Sequence, residues 1–147
     1  MLSFKQHQKL KKIKNKSLGK RRYAMPQITS ENIPHFKDWL KENGIKFSTV
    51  KIKPDSLTAT QKEFNIKKIE HLMASDNHKG IIMTSSDDYI LDGHHRWLAT
   101  ILNEKSSLEV LRINLPLNKL IKTISDYSNI EKKRINEDRQ HSVVRDS

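Results

Sequence analysis

The chain has 147 residues, 35% hydrophobic and 31% charged, with a formal net charge of +11, which is room for one ordinary domain with tails and a modest core. No run of about 18 apolar residues occurs, which excludes a transmembrane helix, and lysines continue where a secretory signal needs an apolar stretch. Cysteine is absent, so disulfides, thiolate zinc sites and a cysteine nucleophile are excluded.

The charge sits at the N-terminus. Residues 1–22 carry nine bases (Lys5, Lys9, Lys11, Lys12, Lys14, Lys16, Lys20, Arg21, Arg22) and no acid, leaving +2 for the other 125 residues. Leu2, Phe4, Leu10 and Ile13 are sparse enough for a weak helix at most, so residues 1–25 are expected to be a disordered basic arm. Such an arm repels itself and can neutralise the phosphates of DNA; it can equally be a solvated tail.

A helix is expected from an N-cap at Ser30 to Asn43, with Ile33, Phe36, Trp39 and Leu40 on one stripe, Pro34 in the first turn and Gly44 as the stop. Phe47–Ile52 alternates and ends at Pro54, which reads as a strand. Asp55–Phe64 is polar and aperiodic, a loop that can cross the active face. Asn65 caps a second helix with Ile66, Ile69, Leu72 and Met73 on one stripe, broken by the polar run 75–80. Ile81–Thr84 and Tyr89–Leu91 form a hairpin around Ser85–Asp88. After Asp92-Gly93 a helix carries Trp97, Leu98, Ile101 and Leu102. A strand (Leu108–Asn114) and a helix (Asn118–Tyr127) follow, and from Ser128 a polar tail of mixed charge. The fold class is α+β: a small mixed sheet with packed helices, the domain spanning residues 26–127.

Chemistry concentrates in Asp92-Gly93-His94-His95-Arg96-Trp97. A strand that turns through Asp-Gly into a helix presents unpaired N–H groups and the positive end of a dipole. Gly93 permits close approach, Arg96 adds a planar fork, and His94 and His95 add donors or a general base. Asp92 can hold a metal ion, orient a histidine or accept a proton. The set suits an anion, phosphate above all. The same residues also suit a plain turn with Asp92 as cap, and adjacent histidines diverge on a helix.

Tyr89-Ile90-Leu91-Asp92-Gly93-His94-His95-Arg96-Trp97-Leu98-Ala99, preceded by Lys53-Pro54-Asp55-Ser56-Leu57 and a short helix, resembles the Asp-Gly-His-His-Arg branch of the ParB/sulfiredoxin superfamily over roughly residues 48–125. The resemblance implies a strand–turn–helix that binds nucleotide phosphates, and a branch that includes free-serine kinases, proposed DNA-base kinases and relatives labelled nucleases. It places Asp92 and His95 near the transferred phosphoryl, Glu63 as the base, Gln61 in a polar pocket, and ATP or another nucleoside phosphate with Mg²⁺ at Asp92 as cofactors. His94 stands where sulfiredoxin has its cysteine, and the Gly-Glu-Arg-Arg turn of ParB is missing, so neither of those activities is expected. The opening Met-Leu-Ser-Phe-Lys, Met25-Pro26-Gln27-Ile28 and the Asp-Gly-His-His-Arg-Trp-Leu-Ala run also resemble small proteins of large tailed bacteriophages. That implies a place in the host cytoplasm or inside a virion.

Three readings follow: a nucleotide-dependent phosphotransferase using Gly93, His94, His95, Arg96 and Gln61 for phosphate; a non-catalytic DNA-associated protein relying on its arm; and a metal-dependent nuclease. His71, His78, His94 and His95 lack the spacing of a zinc site, and Asp87-Asp88 suits a hairpin turn better than a metal.

Overall fold

The computed structural model describes residues 1–20, 28–75 and 80–128. Five strands form one mixed sheet and helices cover both of its faces, an α+β architecture. In chain order the elements are α1 (Phe4–Lys16), α2 (Ile33–Glu42), β1 (Phe47–Ile52), β2 (Thr58–Ala59), α3 (Ile66–Ala74), β3 (Met83–Thr84), β4 (Tyr89–Asp92), α4 (His94–Leu102) and β5 (Leu108–Ile113). A further helix, α5, covers 117–128. The strand order is β1-β5-β3-β4-β2. β1 pairs antiparallel with β5 from Phe47 opposite Ile113 to Ile52 opposite Leu108. β5 is parallel to β3, β3 antiparallel to β4, and β4 parallel to β2.

Period-two alternation sorts the core into two layers, because successive strand residues face opposite ways. Met83, Leu91 and Leu111 pack with Ile33, Phe36 and Leu40 of α2 and Leu117, Leu120 and Ile124 of α5. Their sequence neighbours Ile82, Ile90 and Val110 pack beneath Ile69 of α3, Trp97, Leu98 and Ile101 of α4, and Leu10 of α1. Phe36, Trp39 and Tyr127 form an aromatic cluster with centroids 5.0–6.2 Å apart.

The N-terminal segment departs from the expected disordered arm. Within its described part, residues 4–16 are a helix opened by a capping box: the Gln6 N–H donates to Ser3 Oγ (3.1 Å) and the Ser3 N–H to Gln6 Oε1 (2.8 Å). Leu2 and Leu10 are buried and Ile13 partly so, against Leu57, Trp97 and Ile101, so few apolar residues suffice once a receiving surface exists. The chain then runs along β2, with the Leu18 N–H donating to the Ala59 carbonyl (3.1 Å) and the Lys20 N–H to that of Thr60 (2.8 Å). Residues 1–20 therefore belong to the domain. Arg21, Arg22 and the Met25–Gln27 part of the phage-like segment lie outside the described residues, as do 76–79, including His78, and 129–147 of the tail.

Smaller corrections have local causes. Ser30 opens a 3₁₀ turn (Ser30–Asn32), and the α-helix starts at Ile33. The expected Asp55–Phe64 loop contains β2, which is two residues long, too short for periodicity to reveal. The strand expected from Ile81 begins at Met83, and α5 runs through Ser128. The hairpin acids serve the fold. Asp87 accepts the Leu117 N–H (3.1 Å) and the Ser85 hydroxyl, and Asp88 pairs with Arg112 at 3.5 Å. Among the described residues, no helix is long and apolar enough to cross a membrane.

Candidate functional site

β4 ends at Asp92 and α4 begins at His94, so Gly93 makes the whole turn. Its φ of +93° lies in the left-handed region, and a Cβ there would come within 2.9 Å of Ile82 Cγ1 and 3.0 Å of Ile82 Cα. Two constraints thus require glycine. Among the described residues no side chain caps α4. Trp97 fixes the helix from below, its Nε1–H donating to the Pro54 carbonyl at 2.8 Å.

The side chains after the turn diverge. His94 is 3% exposed, and its Nε2 accepts the Thr60 N–H at 3.1 Å, with the Thr60 hydroxyl 3.3 Å away and itself donating to the Ile90 carbonyl at 2.8 Å. Accepting at Nε2 assigns the proton to Nδ1. Burial, with a smaller contribution from the His95 charge, lowers the His94 pKa from 6.5 to about 3, so the ring is neutral. His95 is 7% exposed and its Nε2 accepts the Asn65 N–H at 3.0 Å. Asn65 in turn caps α3, its Oδ1 accepting the Lys68 N–H at 3.1 Å. The paired histidines therefore clamp the two ends of segment 60–65 onto the start of α4.

That clamp shapes a cleft of about 480 Å³ lined by Lys14, Lys62, Glu63, Phe64, Asn65 and His95. Of the residues singled out in the sequence, Glu63, His95 and Lys14 meet here. Gln61 is buried beside them in sequence but pairs through its backbone with Lys20 and does not line the cleft. Arg96 points into a different cavity, against Gly80. Asp92 is half-buried at the turn, accepting the Gly93 N–H at 2.8 Å. Burial raises its pKa above the ordinary 3.8, while the Gly93 and Ile28 N–H groups and the Arg96 and Lys68 charges act in the opposite direction.

The six-residue run thus does not form one constellation. His94 is committed to the interior, His95 to one cleft and Arg96 to another. Asp92 is a single carboxylate whose ionised form is opposed by burial and favoured by the Arg96 and Lys68 charges. Among the described residues no group of three or more His, Asp or Glu is placed to hold a metal. Sequence reasoning missed Thr60, whose N–H has no signature in the sequence, and Lys62, which carried no periodic or motif signal. Comparison with protein-family models, curated proteins and solved structures finds no match to this chain.

Proposed function

We propose that the chain is a nucleotide-binding phosphotransferase of the ParB/sulfiredoxin kind, with the phosphates of ATP or another nucleoside phosphate in the His95 cleft. One observation carries this reading: two lysines from distant parts of the chain, Lys14 of α1 and Lys62 of the clamped segment, converge with Glu63 and His95 in one concave site. Phosphoryl transfer asks a protein chiefly for positioning and charge neutralisation. Lys14 and Lys62 would neutralise the phosphate oxygens. Glu63, exposed at the cleft, would take the proton of the attacking hydroxyl as its oxygen bonds to the terminal phosphorus and the nucleoside diphosphate leaves. His95 would act as a positioning residue, because its Nε2 is occupied by the Asn65 N–H.

Thermal melting with ATP, ADP and CTP, with and without Mg²⁺, tests this. A ligand that binds only the native state raises the melting temperature, by about 2.7 kcal/mol of stability at a hundredfold excess over Kd. The expected shift is lost in Lys62→Gln, whose exposed side chain leaves the fold intact. No shift with any of the three nucleotides overturns the reading.

A second reading is favoured by α1. Lys5, Lys9, Lys11, Lys12, Lys14 and Lys16 are all exposed on one helix fixed to the domain, a preorganised basic surface for DNA phosphates, whether in the host cytoplasm or beside packaged DNA. DNA affinity with a steep salt slope that flattens when Lys9, Lys11 and Lys12 become Gln supports it. The nuclease reading has less support, since among the described residues no group of three or more His, Asp or Glu gathers at Asp92 to hold the metal it needs.

A further inference from the structure

The second cavity shares no lining residue with the His95 cleft. About 470 Å³ in volume, it lies along the face of α4 that carries Arg96 and Thr100, one turn apart, and reaches the start of β5. Its walls combine two chemistries. Arg96, Lys37 and Lys105 bring three positive charges against the single acid Glu109, and Ile81, Ile82 and Leu108 supply apolar surface. None of the three cations forms a salt bridge within 4 Å among the described residues; Arg96 feels Asp92, whose burial works against its charge.

The arginine is placed with care. A Cβ on Gly80 would sit 1.6 Å from Arg96 Cζ and 2.0 Å from both Nε and Nη1, so the guanidinium lies directly against the Gly80 backbone and would have to swing away to admit a side chain there. Arg96 Nε is buried and has no hydrogen-bond partner among the described residues. A buried donor without an acceptor is costly, and an oxyanion in the cavity would satisfy it through the paired contact a guanidinium makes once the fork turns from Gly80 towards the cavity. Burying the Nε this way, beside the half-buried Lys37 and the exposed Lys105, has no evident use in stabilising the fold.

We propose that this cavity binds a small organic anion, with an oxyanion head (carboxylate or phosphate) paired to Arg96, Lys37 and Lys105 and a short apolar body on Ile82 and Leu108. The proposal does not rest on the nucleotide reading of the other cleft. Arg96 would fix the head, and Lys37 and Lys105 would add attraction that falls as salt rises. Selectivity would come from the mixed walls: a bare inorganic ion leaves the apolar floor wet, and a neutral amphiphile leaves the fork unpaired.

Amide NMR titration of the full chain with hexanoate, hexyl phosphate, inorganic phosphate and hexanol tests it. Hexanoate or hexyl phosphate is expected to give saturable shifts at Gly80, Thr100, Leu108 and Val110. Hexanol and inorganic phosphate should bind at least tenfold more weakly, which separates the cavity from a general basic surface. Arg96→Gln should lower affinity about tenfold, whereas Lys62→Gln should leave it unchanged. Arg96 is partly buried and sits in the first turn of α4, so the double variant Lys37→Gln/Lys105→Gln, at a half-buried and an exposed lysine, serves if the first does not fold; it should weaken binding several-fold. Shifts that do not saturate, that fall on the α1 lysines, or that persist unchanged in the folded variants overturn the proposal. Equal affinity for hexanol and hexanoate also overturns it.

Discussion

The Asp92–Arg96 turn and the basic helix α1 carry the two loudest signals in the sequence, and they are built in opposite ways. At the turn the polar side chains go inward: His94 and His95 are nearly buried, and each accepts a backbone N–H from the segment that folds over it. In α1 the polar side chains go outward, with the lysines exposed and Leu10 buried as the anchor, together with the buried Leu2 just before the helix. The turn's imidazoles act through geometry, by holding segment 60–65, and the helix acts through charge. Lys14 is where they meet, at the edge of the cleft that the histidine clamp creates.

The comparison is most easily broken at Gly93. Gly93→Ala forces a left-handed backbone on a residue with a Cβ and drives that atom into Ile82, so a loss of about 3 kcal/mol is expected from the backbone strain with the clash added. Urea unfolding measures it, and a loss within 0.5 kcal/mol would mean that the turn relaxes freely.

Leu10→Ala tests the other side. Truncating a buried leucine costs about 2–3 kcal/mol, but here the cost should appear as detachment of α1 with the remainder of the domain folded. Hydrogen exchange would show protection lost in residues 5–16 and retained in α4 and β5. Uniform loss across the chain would show α1 to be integral to a single cooperative unit.

His94→Phe puts a somewhat larger apolar ring in place of the imidazole and strands the Thr60 N–H, the lost acceptor alone costing about 1–3 kcal/mol. It should also change the pH dependence. The folded-state pKa of His94, about 3, lies below its ordinary 6.5, so between those values the unfolded chain binds the extra proton. The stability from the neutral ring is fully present above about pH 6.5 and is lost as pH falls towards 3, with a slope of up to about 1.4 kcal/mol per pH unit. Urea midpoints measured from pH 4 to 7 should rise less steeply in His94→Phe than in the parent. Identical slopes would assign the dependence to other groups.

Most of the elements were legible because each carries its own local signal. Asn65 caps α3 as its side chain allows, Phe47–Ile52 is the strand its alternation describes, and Asp92-Gly93 separates β4 from α4 because glycine alone takes that backbone. β2 was not legible: two residues have no period, and the strand exists through pairing with β4 thirty residues away. The docking of α1 was hidden for the same reason, since Leu10 needs Leu57, Trp97 and Ile101 to pack against, and these meet only in three dimensions.

By itself, then, the sequence determined the α+β class, the helix and strand periods, the glycine turn and the concentration of charge, all properties of residues near one another along the chain. The tertiary structure decided what the turn's side chains do. Consecutive residues on a helix point in different directions, so His94, His95 and Arg96 were sent to the interior, to a lysine-lined cleft and to a separate cavity beside Gly80. Their proximity in sequence marked the place, and the directions of their side chains divided it between two cavities.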